Sequence, residues 1–279
     1  MKLLPKISIV TCSYQQGAFL RATLLSVLDQ NYPDLDYIVI DGGSRDDSVS
    51  IIREYEKRLS YWVSEPDGGQ TDALMKGFER ATGDVLGWLC SDDLLLPDSL
   101  AHVGEFFASH PDVDLIYGNA LWIDAEGKPL RPKKEMPWNR FVFLFDHNYL
   151  AQPSVFWRRS IFDKAGGLDR SLHLTMDSDL WLRLSRLSRP VHLPEYLSCM
   201  RYYPEQKTRA LKAEGRREDE MLRSREAPLL SRLPRFPLRA VARTQRWVMK
   251  ALSGGYTARI PRNSRGWLEN LQLPLRAQR

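Results

Sequence analysis

The sequence predicts an α/β fold with a mostly parallel central sheet flanked by helices, followed by a basic, helical C-terminal extension. Three observations predict it. Within the first 110 residues, short apolar β-branched runs alternate four times with helical apolar stripes. Each of those runs ends in a polar, acidic or glycine-rich turn. From residue 205 onward the chain holds 18 Lys and Arg against 7 Asp and Glu, whereas residues 1–204 hold 22 against 28.

Ile7–Cys12 reads as the first buried strand, and Leu20, Leu24, Val27 and Leu28 behind it form one helical stripe. Tyr37–Ile40 is the second strand, followed by a helix that turns Ile51, Ile52, Tyr55 and Leu59 inward. Tyr61–Ser64, a helix carrying Leu74, Phe78 and Ala81, and Val85–Cys90 continue the alternation. Leu100, Val103 and Phe107 mark one more helix. Such βαβ units give parallel pairing, and ligands of open sheets sit beyond the carboxyl ends of the strands. From Asp114 the pattern changes. LIYGNALWID and KPLRP around a turn at Glu126–Gly127 predict a hairpin, and Ser154–Trp157 a further strand. Asp179–Leu187 predicts a helix, and Val191–Tyr203 a largely extended segment.

A chain of 279 residues, 43% hydrophobic and 27% charged, buries a sizeable core, which excludes disorder for most of its length. Cys12, Cys90 and Cys199 are widely spaced, so neither a disulfide framework nor a zinc site is expected. No signal-peptide pattern and no apolar run of about 18 residues is present. The expectation is a cytoplasmic protein, soluble or peripheral at the inner face of the cell membrane. Glycine-rich dinucleotide and P-loop fingerprints are absent, which argues against a dehydrogenase or a P-loop kinase. The basic extension lacks any nucleic-acid-binding signature, so its expected partner is another anionic surface.

The four strand ends are Thr11-Cys12-Ser13-Tyr14, Asp41-Gly42-Gly43-Ser44, Glu65-Pro66-Asp67-Gly68-Gly69-Gln70 and Ser91-Asp92-Asp93. Any one alone is what a strand-to-helix turn needs for its geometry and cap. Four together, three with carboxylates, point to a site at one sheet edge. Two carboxylates about 5 Å apart repel by roughly 3 kcal/mol at an effective dielectric near 20. A hard divalent cation shared with phosphate oxygens removes that penalty at Asp92-Asp93. A solvated acidic turn is the alternative.

Taken jointly, these stretches resemble the family 2 inverting glycosyltransferases, which have the GT-A fold, a Rossmann-like sheet. The matching segments are SIVTCSYQQGAFLRATLLSVLDQNYPDLDYIVIDGGSRDDSV, SEPDGGQTDALMKGFERATGDVLGWLCSDD, AGGLD and MDSDLWLRL, in the family's order over roughly residues 5–203. The resemblance implies a catalytic domain over 1–204, with a nucleotide-sugar donor half over 1–110 and an acceptor half over 111–204, and an extension over 205–279. It implies that Tyr14 packs on the nucleotide base, that Asp41 accepts from a ring N–H, and that Ser13 lies beside them. Asp67, Gly68, Gly69 and Gln70 resemble the loop that approaches the nucleotide. Ser91-Asp92-Asp93 matches the DxD-type motif, with Asp93 a ligand of Mn²⁺ or Mg²⁺ and Asp92 meeting ribose or the metal's water shell. Asp177 matches the catalytic base, with Asp179 as its competitor. The Arg-x-His element of many relatives is replaced by Arg201-Tyr202-Tyr203, where Arg201 keeps a possible diphosphate contact but Tyr203 is not an equivalent ligand. Met75 and Cys12 stand where relatives often have Asn and Pro.

The resemblance therefore implies transfer from a nucleotide-diphosphate sugar to a saccharide or lipid-linked saccharide in cell-surface polysaccharide or glycolipid synthesis. A sugar nucleotidyltransferase and a non-catalytic nucleotide-sugar-binding module are the alternatives. Trp88, His147, Asn148 and Gln152 are acceptor-side candidates by position. Trp122, Trp138, Trp157 and Trp181 offer either sugar-stacking faces or core. In the extension, Arg239, Arg243, Arg246 and Lys250 recur at i, i+4, i+7 and i+11 opposite Leu238, Val241, Ala242, Val248, Met249 and Leu252. Such a basic amphipathic helix either lies on an anionic membrane or packs on the catalytic domain with its basic side in water.

Overall fold

The computed structural model describes residues 3–261, 264 and 266–268. The first half alternates as expected through β1 (Ile7–Ser13), α1 (Gly17–Leu28), β2 (Leu35–Asp41), α2 (Ser48–Tyr55), β3 (Tyr61–Ser64), α3 (Gln70–Arg80) and β4 (Val85–Cys90). Next come β5 (Leu94–Leu95), α4 (Ser99–Ser109), β6 (Leu115–Ile123), β7 (Pro129–Lys133), α5 (Arg140–Phe145), β8 (Val155–Arg158) and α6 (Arg159–Ala165). Finally α7 (Met176–Leu187) and β9 (Val191–Arg201) lead into the extension, with α8 (Lys207–Ala210), α9 (Lys212–Glu226) and α10 (Arg235–Leu252).

One sheet runs β3-β2-β1-β4-β8-β6-β9-β5, with β7 paired to β6 as the expected hairpin. The pairings among β3, β2, β1 and β4 are all parallel. Beyond β4 the sheet is mixed: β8 runs antiparallel to both β4 and β6, and β5 antiparallel to β9, while β6 and β9 are parallel. The expectation of a mostly parallel sheet therefore holds for the first half only. Parallel pairs need a crossover helix, and the regular βα alternation that supplies it stops after α4.

Both faces of the sheet are covered. Ile9 and Val39 point to one layer with Leu20, Leu24, Ile52 and Phe107, while Val10 and Ile38 point to the other with Leu74, Phe78 and Trp88. This is the period-2 alternation of strands buried on two sides, and it explains why the strands read as continuous apolar runs. Trp157 and Trp181 are fully buried, and Trp88 stacks on Trp181 with ring centroids 5.4 Å apart. Trp138 packs against Phe143 and Tyr149. Trp138, Trp157 and Trp181 therefore build core.

The extension is joined to the body by charge as well as by apolar contact. Asp179 in α7 is fully buried, paired with Arg183 one turn on and with Arg225 of α9. Glu226 of α9 meets Arg140 and Arg186. Arg246 of α10 donates to Asp146 at 2.5 Å, with Arg243 at 3.6 Å from the same carboxylate. Two members of the basic stripe thus meet the body, Arg246 largely covered and Arg243 still partly in water.

Candidate active site

A cavity of about 800 Å³ opens beyond the carboxyl ends of β1, β2 and β4, where the switch-point rule places ligands. Ser13, Tyr14, Asp67, Gly69, Gln70, Ser91, Asp92, Asp93, Asp177 and Arg201 all line it. Residues up to 188 positions apart in sequence meet there, because each lies at or just beyond the end of a strand or at the start of a helix.

Two expected residues sit behind the wall instead. Asp41 is fully buried, and its oxygens accept from the backbone N–H groups of Gly43 and Ser44 and from the hydroxyls of Ser44 and Ser64. It holds the turn whose Gly42 lines the cavity, so a base contact through its carboxylate does not fit this geometry. Gly68 donates its N–H to Asp72 and shapes the loop from outside, while Gly69, at φ +103°, adopts a backbone that favours glycine and faces the space.

The acidic pair is the electrostatic focus. Asp93 is 8% exposed, and its Oδ1 accepts from the Arg201 N–H at 2.9 Å. Burial first, then the neighbouring Asp92, pushes the Asp93 carboxyl well above the usual range, and burial raises Asp92 as well. The Arg201 guanidinium, itself fully buried, donates to the carbonyls of Asp92, Asp124 and Ala125. The pair is therefore left short of positive charge. One ligand atom each from Cys90, Asp92 and Asp93 lies within 4.8 Å of the others. Contact with Cys12, then burial, pushes the Cys90 thiol up, and a thiol is a soft ligand, so the carboxylate oxygens are the ones that suit a hard cation. This donor set fits a hard divalent cation such as Mn²⁺ or Mg²⁺. Tyr203 donates its hydroxyl to Asp92 Oδ2 at 2.9 Å, fixing that carboxylate.

Three residues of the wall carry a buried polar atom without a protein partner: Ser13 Oγ, Gln16 Oε1 and Arg201 Nη2. Such atoms are rare inside folded proteins and mark where a polar ligand completes the hydrogen bonding.

On the far side stands Asp177, in the first turn of α7. Asn148 Nδ2 donates to its Oδ2 at 2.9 Å and the Ser178 N–H to its Oδ1 at 2.6 Å. Burial outweighs these donors and raises its carboxyl to about 6. The competitor Asp179 is excluded from the cavity by its two arginine partners. Of the acceptor-side candidates, Trp88, Trp122 and Gln152 line the cavity, Asn148 orients Asp177, and His147 pairs with Asp146 away from it.

The chain fits known proteins in the same places. A family model described as glycosyl transferase family 2 matches residues 8–168. The chain belongs to this family. An uncharacterized glycosyltransferase of Mycobacterium tuberculosis is 32% identical over 67% of this chain and 71% of its own length. A PGL/p-HBAD biosynthesis glycosyltransferase of Mycobacterium bovis is 29% identical over 69% of this chain and 74% of its own. Among solved structures, a mannosyltransferase of Pyrobaculum calidifontis in complex with GDP-Man and Mn²⁺ superposes with a TM-score of 0.61, at 17% identity, over 97% of this chain and 85% of that one. The fold is that of the GT-A glycosyltransferases.

The family 2 match stops at residue 168, yet this glycosyltransferase closes its cavity with residues beyond it. Gln206, Lys207 and Thr208 line the space, so the boundary drawn at residue 204 cuts through the wall. Lys207 Nζ donates to the His173 carbonyl at 2.7 Å and lies 3.4 Å from Gln70 Oε1, spanning from the turn before α7 to the start of α3. Glu218 of α9 accepts the backbone N–H groups of His173, Leu174 and Thr175 at 2.9–3.0 Å, and the Thr175 hydroxyl. It thereby pairs the backbone donors of the turn that leads into α7, which starts at Met176, three residues earlier than the sequence pattern predicts. No sequence signal marks this, because Glu218 lies 43–45 residues from the groups it serves.

Burial alone would raise Glu218, but the backbone donors prevail and hold its carboxyl below the usual value of 4.5. Its contribution is therefore complete above that value and lost as pH falls through the lowered pKa. Glu218→Ala is expected to destabilise the protein by about 2 kcal/mol, the scale of lost hydrogen bonds to a charged group, and to slow turnover roughly tenfold. Urea unfolding and initial rates check this, and an unchanged midpoint would show that the contact carries no load.

Proposed function

We propose that the chain is an inverting glycosyltransferase that moves a sugar from a nucleotide-diphosphate donor to a hydroxyl of a saccharide or lipid-linked saccharide, in cell-surface polysaccharide or glycolipid synthesis at the inner face of the cell membrane. One observation carries the reading: the Asp92-Asp93 pair and the raised-pKa Asp177 line a single cavity that also holds unpartnered polar atoms.

The donor lies along the strand ends. Tyr14, 62% exposed at the rim, offers its ring to the base, and Ser13 Oγ and the backbone of Gly42 and Gly69 offer polar contacts along the nucleotide. Asp93, with Asp92, would hold Mn²⁺ or Mg²⁺, which neutralises charge on the departing diphosphate. Arg201 Nη2 supplies a further donor towards that end.

The acceptor enters from the side of Trp122 and Gln152. Asp177 takes the hydroxyl proton while the acceptor oxygen bonds to the anomeric carbon and the bond to the diphosphate oxygen breaks. Base and leaving group on opposite faces of the sugar dictate inversion. Asn148 and the Ser178 N–H keep the carboxylate aimed during the transfer.

Thermal melting with UDP-, GDP- and dTDP-sugars in the presence of Mn²⁺ tests the donor reading. A ligand at 100 times its Kd stabilises by about 2.7 kcal/mol, so one base is expected to raise the melting temperature by several degrees. No shift with any nucleotide sugar would sink the proposal.

A further inference from the structure

We propose that α10 is an in-plane docking helix for an anionic lipid bilayer, and that it binds through an outward apolar face rather than through its basic stripe alone. This deepens the membrane location in the reading above by naming the surface that makes the contact.

The helix is seated on the body through Leu238, Ala242 and Met249, which pack against the core beside α5. At 100° per residue the outward arc runs from Phe236 through Trp247, Ala240, Ala251, Thr244, Pro237, Val248 and Val241 to Leu252. That arc is apolar except for Thr244, and it is open: Phe236 and Leu252 are each 84% exposed, and Val241, Trp247 and Val248 more than half. Just before the helix, Leu229 is 76% exposed. A contiguous face of this kind is not a feature of ordinary monomer surfaces.

Charge selects the occupant. Within Arg235–Leu252 there are five basic residues and no acidic one. Arg246 and Arg243 lie against Asp146, and Lys250 is half-buried towards Glu135, but Arg239 is exposed and Arg243, bordering the apolar arc, remains partly so. An apolar face flanked by cations matches the headgroup-to-acyl boundary of an anionic leaflet. A groove between α5 and α10, lined by Phe141, Ala240 and Val241, opens on the same side and has the chemistry to take part of an acyl chain.

The test is sedimentation of the full chain with vesicles of phosphatidylcholine alone and of phosphatidylcholine with phosphatidylglycerol. Binding is expected with the anionic vesicles and falls in high salt. Val248→Asp with Leu252→Asp is expected to lower the bound fraction at least about tenfold, and Arg239→Glu at least about fivefold at low salt. Because these side chains are exposed, the melting temperature and the shift produced by donor sugar should stay as in the wild type. That separates failure of this proposal from failure of the transferase reading. Three outcomes overturn it: no binding by the wild type, unchanged binding by the double variant, or a dimer in gel filtration that the double variant splits.

Discussion

Replacing Asp177 by Asn is expected to reduce kcat by at least about 10²-fold, the lower end for loss of a general base, while donor binding survives. The side chain keeps its size, and its one remaining oxygen can still accept from the Ser178 N–H, while the Asn148 amide can turn to offer its own oxygen to the new NH2. What disappears is proton affinity. An ordinary aspartate would be a weak base at neutral pH, but burial raises this one to about 6. The base acts only when deprotonated, so kcat/KM of the wild type should climb as pH rises through about 6 and level off above it. That limb should be missing from the residual activity of the Asn variant. Near-normal turnover, or an unchanged pH profile, would remove Asp177 from the mechanism.

Asp93→Asn should separate stability from function. Its carboxyl is pushed well above the usual range by burial and by Asp92, so the ionised pair is a strained arrangement in the absence of a cation. The amide keeps an oxygen for the Arg201 N–H and carries no charge, and the metal-free protein is expected to melt at the same temperature or higher. Activity should fall about 10³-fold, equivalent to ~4 kcal/mol, because an anionic ligand is lost at the point where leaving-group charge develops. The thermal stabilisation that Mn²⁺ gives the wild type should vanish with it. Melting curves with and without Mn²⁺, alongside initial rates, decide the matter. Retention of both the Mn²⁺ shift and the activity would mean that the ion, if any, is held elsewhere.

The acidic strand ends were legible because local chemistry wrote them. A run such as VLGWLC that ends in Ser91-Asp92-Asp93 has to place those carboxylates at a sheet edge, whatever follows. Asp177 was legible only through the family resemblance, with Asp179 set below it as the residue that caps the helix start. In the structure Arg183 and Arg225 close on Asp179, while Asp177 lines the cavity. Asp41 misled for a related reason: a carboxylate beside two glycines reads as ligand-facing, yet Ser44 and Ser64 turn it inward.

The sequence by itself determined the βα alternation of the first half, the polar tips of its strands and the amphipathic character of the last helix. Those features follow from periodicity and turn chemistry within a few residues. Only the tertiary structure decided that the sheet turns mixed beyond β4, that Glu218 holds the turn into the helix of Asp177, that Tyr203 anchors Asp92, and that α10 shows an apolar face outward. Each of these depends on contacts between residues far apart in the chain, whose partners no local pattern specifies.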